Sequence, residues 1–253
     1  MKGKLTLVGA GPGDPELITI KAVKAIASAD IVLYDALVHP ELLEYVRNGA
    51  EKIYVGKRAN NHTYRQEEIN QLIVDHALSG KDVVRIKGGD PFIFGRGKEE
   101  TEYAEAFGIK TQVVIGISAV NLPGYYGIPL TRRGVNESFM AITATTSDGS
   151  LSKDAALAAS SNSTAVFFMG LRKLDKIIDL YARRGRHDLP VAIIAQGSLP
   201  TGKVIFGTVS TILKERDKLT IPSPAIIVIG EAVGTHEHFY EKSYTINNQE
   251  SER

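Results

Sequence analysis

The segment Lys4-Leu5-Thr6-Leu7-Val8-Gly9-Ala10-Gly11-Pro12-Gly13-Asp14-Pro15 decides how the beginning of the chain is interpreted. Its first five residues are typical of a buried strand, and the glycines that follow are typical of a turn. Ligands of open α/β sheets bind at the carboxyl ends of the strands, so this turn is a candidate binding loop. A tight turn without a ligand is the alternative interpretation of the same residues.

Strand and helix patterns alternate from this segment to residue 116. The pattern predicts strands over 4–8, 31–34, 52–55, 83–86 and 111–115, and helices over 18–29, 67–77 and 99–106. Strands separated by helices need crossover connections, which favour a mostly parallel sheet covered on both faces.

The second half contains a further α/β pattern after an irregular segment. Proline and glycine are frequent in 117–135, which we interpret as a linker between a domain over 1–116 and a domain over 136–246. In the second domain we predict strands over 139–143, 164–169, 191–194 and 225–229, and helices over 174–182 and 209–214. Residues 155–163 are of low complexity, and we expect 247–253 to be a frayed tail. The predicted fold class is α/β with two domains.

Composition excludes several classes of function. The 30 Lys and Arg residues nearly balance the 29 Asp and Glu residues, so no overall field favours nucleic acid or an anionic membrane. The chain has no cysteine, which excludes disulfides and thiolate sites. It has no secretory signal pattern and no apolar run of about 20 residues. We therefore expect a cytoplasmic protein without a membrane or nucleic-acid partner, and without a metal, since no His and carboxylate cluster has ligand spacing.

A second glycine loop, Lys87-Gly88-Gly89-Asp90-Pro91-Phe92-Ile93-Phe94-Gly95-Arg96-Gly97, also follows a predicted strand. The first loop is not a dinucleotide fingerprint, because Asp14 occupies the position of the third glycine. A carboxylate at that position is unfavourable beside a pyrophosphate but acceptable beside a sulfonium ligand without phosphate. Two unrelated surface turns, with the apolar run over 92–94 in the core, are the alternative.

These two loops, together with Tyr34-Asp35 and Val55-Gly56-Lys57-Arg58-Ala59, resemble the tetrapyrrole methylase family over about residues 4–233. Each motif is moderately specific, whereas their order and joint presence are highly specific. The further matches are Gln66-Glu67-Glu68-Ile69-Asn70, Gly116-Ile117-Ser118-Ala119, Gly127-Ile128-Pro129-Leu130-Thr131, Met169-Gly170-Leu171 and Ser223-Pro224-Ala225.

The resemblance implies two α/β domains with S-adenosyl-L-methionine in a cleft between them, usually in a homodimer. It implies two successive C-methylations of the tetrapyrrole uroporphyrinogen III, giving precorrin-2 for siroheme or cobalamin synthesis. It assigns Asp35 and Lys57 to the catalytic region as acid/base candidates. The cofactor residues that it implies are Pro12, Gly88, Gly89, Asp90, Ile93, Ser118, Ala119, Met169 and Gly197.

Several of these residues have a second interpretation. Asp35 is also what an ordinary turn contains, or what a nicotinamide enzyme uses to bind ribose. Lys57 can remain charged and bind a substrate carboxylate. Met169 would be interpreted as core without the resemblance.

The carboxylates of a tetrapyrrole call for local cations, and arginine binds them in a bidentate manner. The loop residues Arg58, Arg96, Arg132 and Arg133 are therefore candidate substrate ligands. Each arginine alone is equally consistent with a solvated surface charge. His62 and Tyr64 follow Arg58 and are weaker candidates for the same role.

Two positions depart from the family pattern. Arg132 stands where the family commonly has a histidine, and Ala144-Thr145 stands where Gly-His usually follows the strand. Both departures affect the substrate side more than the methyl-donor side. A methyltransferase of later corrin precursors, an inactive cofactor-binding module and a nicotinamide oxidoreductase therefore remain as alternatives.

Overall fold

The computed structural model describes residues 1–56 and 64–239. The chain divides into two compact units, Met1–Ala119 and Val120–Arg253. The division falls within the segment 117–135, and the domain limits given from the sequence remain a prediction. No helix in the described part of the chain is long and apolar enough to cross a membrane.

The first unit contains a five-stranded parallel sheet. Its strands are β1 (Lys4–Gly9), β2 (Ile31–Tyr34), β3 (Glu51–Tyr54), β4 (Val83–Lys87) and β5 (Lys110–Val114). They are arranged in the order β3-β2-β4-β1-β5, and every neighbouring pair is parallel. The predicted parallel sheet is thus confirmed, and all five strands end at one edge.

Helices cover both faces of this sheet. They are α1 (Ile20–Ser28), α2 (Gln66–Leu78) and α3 (Gly97–Ala106). Ile73 of α2 and Ala104 of α3 share a core with Leu7 of β1. Ile26 of α1 packs into a separate core with Val8 of β1 on the opposite face. Alternation along β1 therefore supplies both cores, as expected for a parallel sheet covered on both faces.

Helix α1 begins two residues later than predicted because two polar side chains form caps before it. Asp14 accepts a hydrogen bond from the backbone N–H of Glu16 (2.9 Å) and caps a 3-10 turn over Pro15–Leu17. Thr19 then caps α1 by accepting from the N–H of Ala22 (3.1 Å).

The second unit contains a mixed five-stranded sheet. Its strands are β6 (Phe139–Thr143), β7 (Thr164–Phe168), β8 (Pro190–Ala195), β9 (Lys203–Thr208) and β10 (Ala225–Ile229), in the order β6-β7-β10-β8-β9. Only β6 and β7 pair in parallel. The helices are α4 (Leu122–Tyr125), α5 (Lys153–Ser160), α6 (Leu174–Ala182) and α7 (Ile212–Asp217).

Four elements of this unit differ from the prediction, and the first is α4, which lies in the segment interpreted as a linker. Helix α5 overlaps the low-complexity segment, and its Ala155, Ala158 and Ala159 are buried on one side. Strand β9 lies at the sheet edge and was not predicted. Helix α7 begins at residue 212 rather than 209, because Thr208 and Thr211 form a turn in which the N–H of Thr208 donates to Thr211 Oγ1 (2.8 Å).

The largest side chains of the second core are fully buried. Phe167 of β7 and Tyr181 of α6 lie in one cluster with Ile193 of β8 and Ile227 of β10. This cluster joins the sheet to its helices.

Phe167→Ala should therefore lower the free energy of unfolding by about 3–5 kcal/mol, through lost burial and a cavity. Urea unfolding followed by circular dichroism measures the change. Leu157→Ala, on the exposed side of α5 in the same unit, should change the free energy by less than about 0.5 kcal/mol. Equal effects of the two substitutions would contradict this assignment of the core.

Candidate functional site

The two glycine loops of the first unit are paired through their backbones. The N–H of Gly89 donates to the carbonyl oxygen of Gly11 (2.7 Å), and the N–H of Gly11 donates to the carbonyl oxygen of Gly89 (3.3 Å). The loops follow β4 and β1, which are neighbours in the sheet. They therefore form one structure at the carboxyl edge, and are not two unrelated turns.

A third loop, after β5, joins them. The N–H of Gly116 donates to Asp90 Oδ2 (3.1 Å), while Asp90 Oδ1 accepts from the N–H of Phe92 (2.8 Å). A Cβ on Gly116 would lie 2.3 Å from the carbonyl oxygen of Gly89 and 2.7 Å from the Cα of Gly9. Glycine is thus needed where the three loops cross.

Most of the candidate cofactor residues lie in these three loops. Gly89 has a φ of 67°, and a Cβ there would be in ordinary van der Waals contact with Ala119 N (3.8 Å) and Ser118 Cα (4.0 Å), without a clash. Ser118 is buried, whereas Ile93 is exposed. The candidates in these loops are Pro12, Gly88, Gly89, Asp90, Ile93, Ser118 and Ala119.

The apolar run in the second loop is not part of the core. Phe92, Ile93 and Phe94 are each 40–48% exposed. Phe94 also has a φ of 55°, a conformation that costs energy in a bulky residue. These side chains are available for contact beside the loops.

Asp35 follows β2 at the same edge and has two partners. Its Oδ1 accepts from the N–H of Leu37 (3.0 Å), and its Oδ2 accepts from the guanidinium of Arg85 (3.0 Å). Its side chain is 25% exposed. The neighbouring Gly88 has no room for a Cβ, which would lie 2.6 Å from the Cβ of Leu37. The loop of Asp35 therefore packs directly against the second glycine loop. Asp35 does form a turn, as one interpretation held, but the turn uses only one of its oxygens.

A buried charge network, which was not predicted from the sequence, lies below this edge. Glu100 Oε1 accepts from Lys87 Nζ (2.6 Å) and Gln66 Nε2 (3.0 Å), and lies 3.6 Å from Arg85 Nε. All three charged side chains are less than 10% exposed. Burial lowers the pKa of Lys87, the charge of Arg85 lowers it further, and Glu100 opposes both effects.

A signal for this network was present in the sequence. Arg85 and Lys87 alternate with apolar residues in β4, a strand buried along its whole length. Charged residues are rarely buried without partners, so these two positions predicted an acidic neighbour on the adjoining helices.

Arg96 is partly engaged within the protein. It has a φ of 59° at the beginning of α3, and its Nε donates to both carboxylate oxygens of Glu99 (3.0 Å each). This hydrogen bonding raises the pKa of Arg96 and lowers that of Glu99. The side chain is about half exposed, so a substrate carboxylate would compete with Glu99.

Met169 and Gly197 lie at one edge of the second sheet. They follow β7 and β8, which both run antiparallel to β10 and hence end at the same edge. Met169, Gln196 and Ser198 have positive φ values of 54°, 47° and 66°. Such conformations are costly outside glycine and concentrate at functional sites.

The local contacts of the two residues differ. Met169 is 56% exposed and is not part of the core, and its carbonyl oxygen accepts from Thr145 Oγ1 (2.9 Å). Thr145, one of the departures from the family pattern, therefore fixes the backbone of Met169. Gly197 is packed against Leu122, whose methyl groups would lie 2.9 Å from a Cβ. Close packing alone already requires glycine at residue 197.

The remaining candidates are less informative. Arg132 and Arg133 are exposed in a turn closed by the N–H of Arg132 donating to Asn136 Oδ1 (2.9 Å). Tyr64 packs against the first core. Lys57, Arg58, His62 and the tail over 247–253 lie outside the described residues. Within 1–56 and 64–239, no group of three His, Cys, Asp or Glu residues is arranged to hold a metal ion.

The first loop does not have the geometry of a dinucleotide site. In such a site a helix follows the glycine turn directly, and its amino terminus faces the pyrophosphate. Here the capped 3-10 turn lies between the loop and α1, and Thr19 occupies the N–H of Ala22. Asp35 Oδ2 is likewise bound to Arg85 rather than free for a ribose.

The chain is similar to known proteins along most of its length. A profile of the tetrapyrrole (corrin/porphyrin) methylases matches residues 4–213. A uroporphyrinogen-III C-methyltransferase of Methanocaldococcus jannaschii is 45% identical over 236 residues, covering 92% of this chain and 98% of that protein. A siroheme synthase of Psychrobacter sp. is 44% identical over 93% of this chain, but this chain spans only 49% of that protein's length.

A solved structure is similar along nearly the whole chain. The uroporphyrin-III C-methyl transferase of Thermus thermophilus, complexed with S-adenosylhomocysteine, has a TM-score of 0.79 and 35% identity. The similarity covers 92% of this chain and 100% of that one. The chain belongs to the tetrapyrrole (corrin/porphyrin) methylases.

Proposed function

We propose that this protein transfers methyl groups from S-adenosyl-L-methionine to two pyrrole carbons of uroporphyrinogen III, giving precorrin-2 for siroheme or cobalamin synthesis. The observation that carries the proposal is the pairing of Gly11 with Gly89, which joins the family's two glycine loops into one ligand-binding edge. The Methanocaldococcus relative, similar over almost its whole length, supports this substrate over later corrin precursors. The siroheme synthases are about twice as long, so their complete activity is not proposed for this chain.

The loops suit S-adenosylmethionine better than a nucleotide with phosphates. The side chains that they contribute include Asp14 and Asp90. Lys87, at the end of β4, is buried and bound to Glu100. An acidic, glycine-lined edge favours a cationic ligand with hydroxyl groups and disfavours a pyrophosphate. The absence of a side chain at Gly89 lets a ligand approach the backbone, and the exposed Ile93 offers an apolar surface for adenine.

S-adenosylmethionine supplies a methyl group on a positively charged sulfur, which leaves as a neutral thioether. The pyrrole carbon is the nucleophile, so the protein needs to align the two molecules, exclude water and remove a proton. We assign proton removal to Asp35, whose Oδ2 is oriented by Arg85 and whose side chain remains partly exposed. Lys57 is the second acid/base candidate, and Met169 is assigned to the cofactor because its strained backbone exposes its side chain.

The arginines are proposed as ligands of the substrate's carboxylates. Arg96, Arg132 and Arg133 are exposed on loops, and Arg58 joins them from the family motif. We also propose that the protein is a cytoplasmic homodimer, following the family resemblance. Light scattering would test the dimer against a monomer of 27.4 kDa.

Asp35→Asn should lower the rate of methylation by at least about 100-fold, because the amide cannot accept the proton. The measurement is turnover of uroporphyrinogen III with labelled methyl donor, followed by the absorbance of the methylated product. Binding of S-adenosylhomocysteine should change little, and the protein should remain folded although it loses part of the charge that balances Arg85.

Asp75→Asn, an exposed aspartate of α2, is the matched control and should retain full activity. Unimpaired turnover by Asp35→Asn would remove Asp35 from the mechanism. Absence of product with the unmodified protein would reject the proposed reaction. Tight cofactor binding without turnover would favour an inactive module, and nicotinamide nucleotide binding would favour an oxidoreductase.

Gly89→Val should abolish binding of S-adenosylhomocysteine, and Gly89→Ala should weaken it at least about tenfold, because the side chain would occupy the ligand's space. Gly49→Ala is the control for backbone strain, since Gly49 also has a positive φ and no clash for a Cβ, but lies before β3, at the opposite edge. Both alanine variants should lose about 1–2 kcal/mol of stability. Affinity for S-adenosylhomocysteine is measured by calorimetry. If both alanine variants lose affinity equally, or if neither does, the result contradicts the proposed site.

A further inference from the structure

The buried carboxylate of Glu100 accepts a hydrogen bond from one cation and forms an ion pair with a second. Glu100 lies in the first turn of α3 and is 1% exposed. Lys87 Nζ is 2.6 Å from its Oε1, and Arg85 Nε is 3.6 Å from the same oxygen. Both cations come from β4, whose alternate side chains point to the side of the sheet covered by α2 and α3.

Arg85 is also the link between Glu100 and Asp35. One terminal nitrogen donates to Asp35 Oδ2 (3.0 Å), and the other donates to the backbone carbonyl oxygen of Ile86 (2.6 Å). The guanidinium is fixed in the plane of these contacts and is 4% exposed. Arg85 therefore lies between two carboxylates, one buried and one at the reacting edge.

We propose that Glu100 is a positioning residue for methylation. It holds Arg85 and Lys87 beneath the loops, and it competes with Asp35 for interaction with the positive charge of Arg85. This inference rests on the proposed function, in which Asp35 accepts a proton. Two cations and two carboxylates give this group no net charge, and each charge affects the others strongly because water is nearly excluded.

The other polar groups described near this network do not supply the negative charge that Glu100 contributes. From α2, Gln66 donates to Glu100 Oε1 (3.0 Å) and to Asn70 Oδ1 (3.0 Å), but both amides are neutral. Glu67 of α2 and Glu99 of α3 act chiefly on Arg96, which is about half exposed. Among the described residues, the ionised groups that affect Asp35 most directly are thus Arg85 and Lys87.

The arrangement predicts opposite effects from removing its two internal charges. In Glu100→Gln, Arg85 no longer interacts with the carboxylate of Glu100 and interacts more strongly with Asp35. This change favours the ionised form of Asp35. In Lys87→Met, Glu100 interacts with Arg85 without a competing lysine, and Asp35 loses a nearby positive charge. Both changes favour the protonated form of Asp35. Damage to packing alone would lower the rate of both variants without shifting their pH profiles in opposite directions.

The test is the pH dependence of kcat/KM for methylation in the full-length protein. The acid limb should move to lower pH by about one unit in Glu100→Gln and to higher pH by about one unit in Lys87→Met. The double variant, which removes one charge of each sign, should return close to the unmodified profile. Glu102→Gln, an exposed glutamate on the same helix, is the matched control and should show no shift.

A second measurement separates this inference from the proposed reaction. Titration of the Asp35 carboxyl carbon by NMR, in protein with ¹³C-labelled aspartate and assigned with Asp35→Asn, reports the same shifts without turnover. If the unmodified protein makes no product but the opposite shifts are observed, the reaction is wrong and the positioning role stands. Unshifted or equally shifted titrations in the two variants would overturn the role of Glu100. If Glu100→Gln does not fold, the upward shift in Lys87→Met is still required.

Discussion

The candidate site depends on one pair of backbone hydrogen bonds, between Gly11 and Gly89. The parallel order of β1 and β4 brings their ends together, and Gly11 and Gly89 both have a positive φ, a conformation that favours glycine. Asp90 then attaches the third loop through the N–H of Gly116. Backbone and one carboxylate thus shape this edge, and few side chains obstruct it.

The charged groups beneath the edge follow a different physical rule. Moving a charge out of water is costly, so Arg85, Lys87 and Glu100 are stable in the interior only as a group. Their cost is offset by short contacts and by Asp35, which lies at the border with solvent. The network therefore connects the interior of the first unit with the residue to which we assign proton removal.

Much of the first unit could be predicted because its signals are local. Strand patterns such as 4–8 and 83–86, each leading into a glycine loop, indicated parallel strands. The meeting of Gly11 with Gly89 needed the strand order as well, which these patterns do not contain. Glu100 was missed because a single glutamate in a polar helix looks solvated until its partners on β4 are known.

The second unit was harder to predict for reasons of pattern. The alanines of α5 carry little hydrophobic signal, although three of them are buried. Strand β9 lies at an edge, where pairing with β8 rather than composition determines the structure. The strained backbone at Met169 also depends on tertiary contacts, since the hydroxyl of Thr145 holds its carbonyl oxygen.

The left-handed conformations of Met169, Gln196 and Ser198 have a consequence for attempts to engineer this protein. A search for thermostable variants would favour glycine at these positions, since glycine adopts such angles without steric cost. At Met169 such a replacement would remove the exposed side chain that we assign to the cofactor. Heat resistance and catalytic performance are therefore expected to be selected in opposite directions at this edge of the sheet.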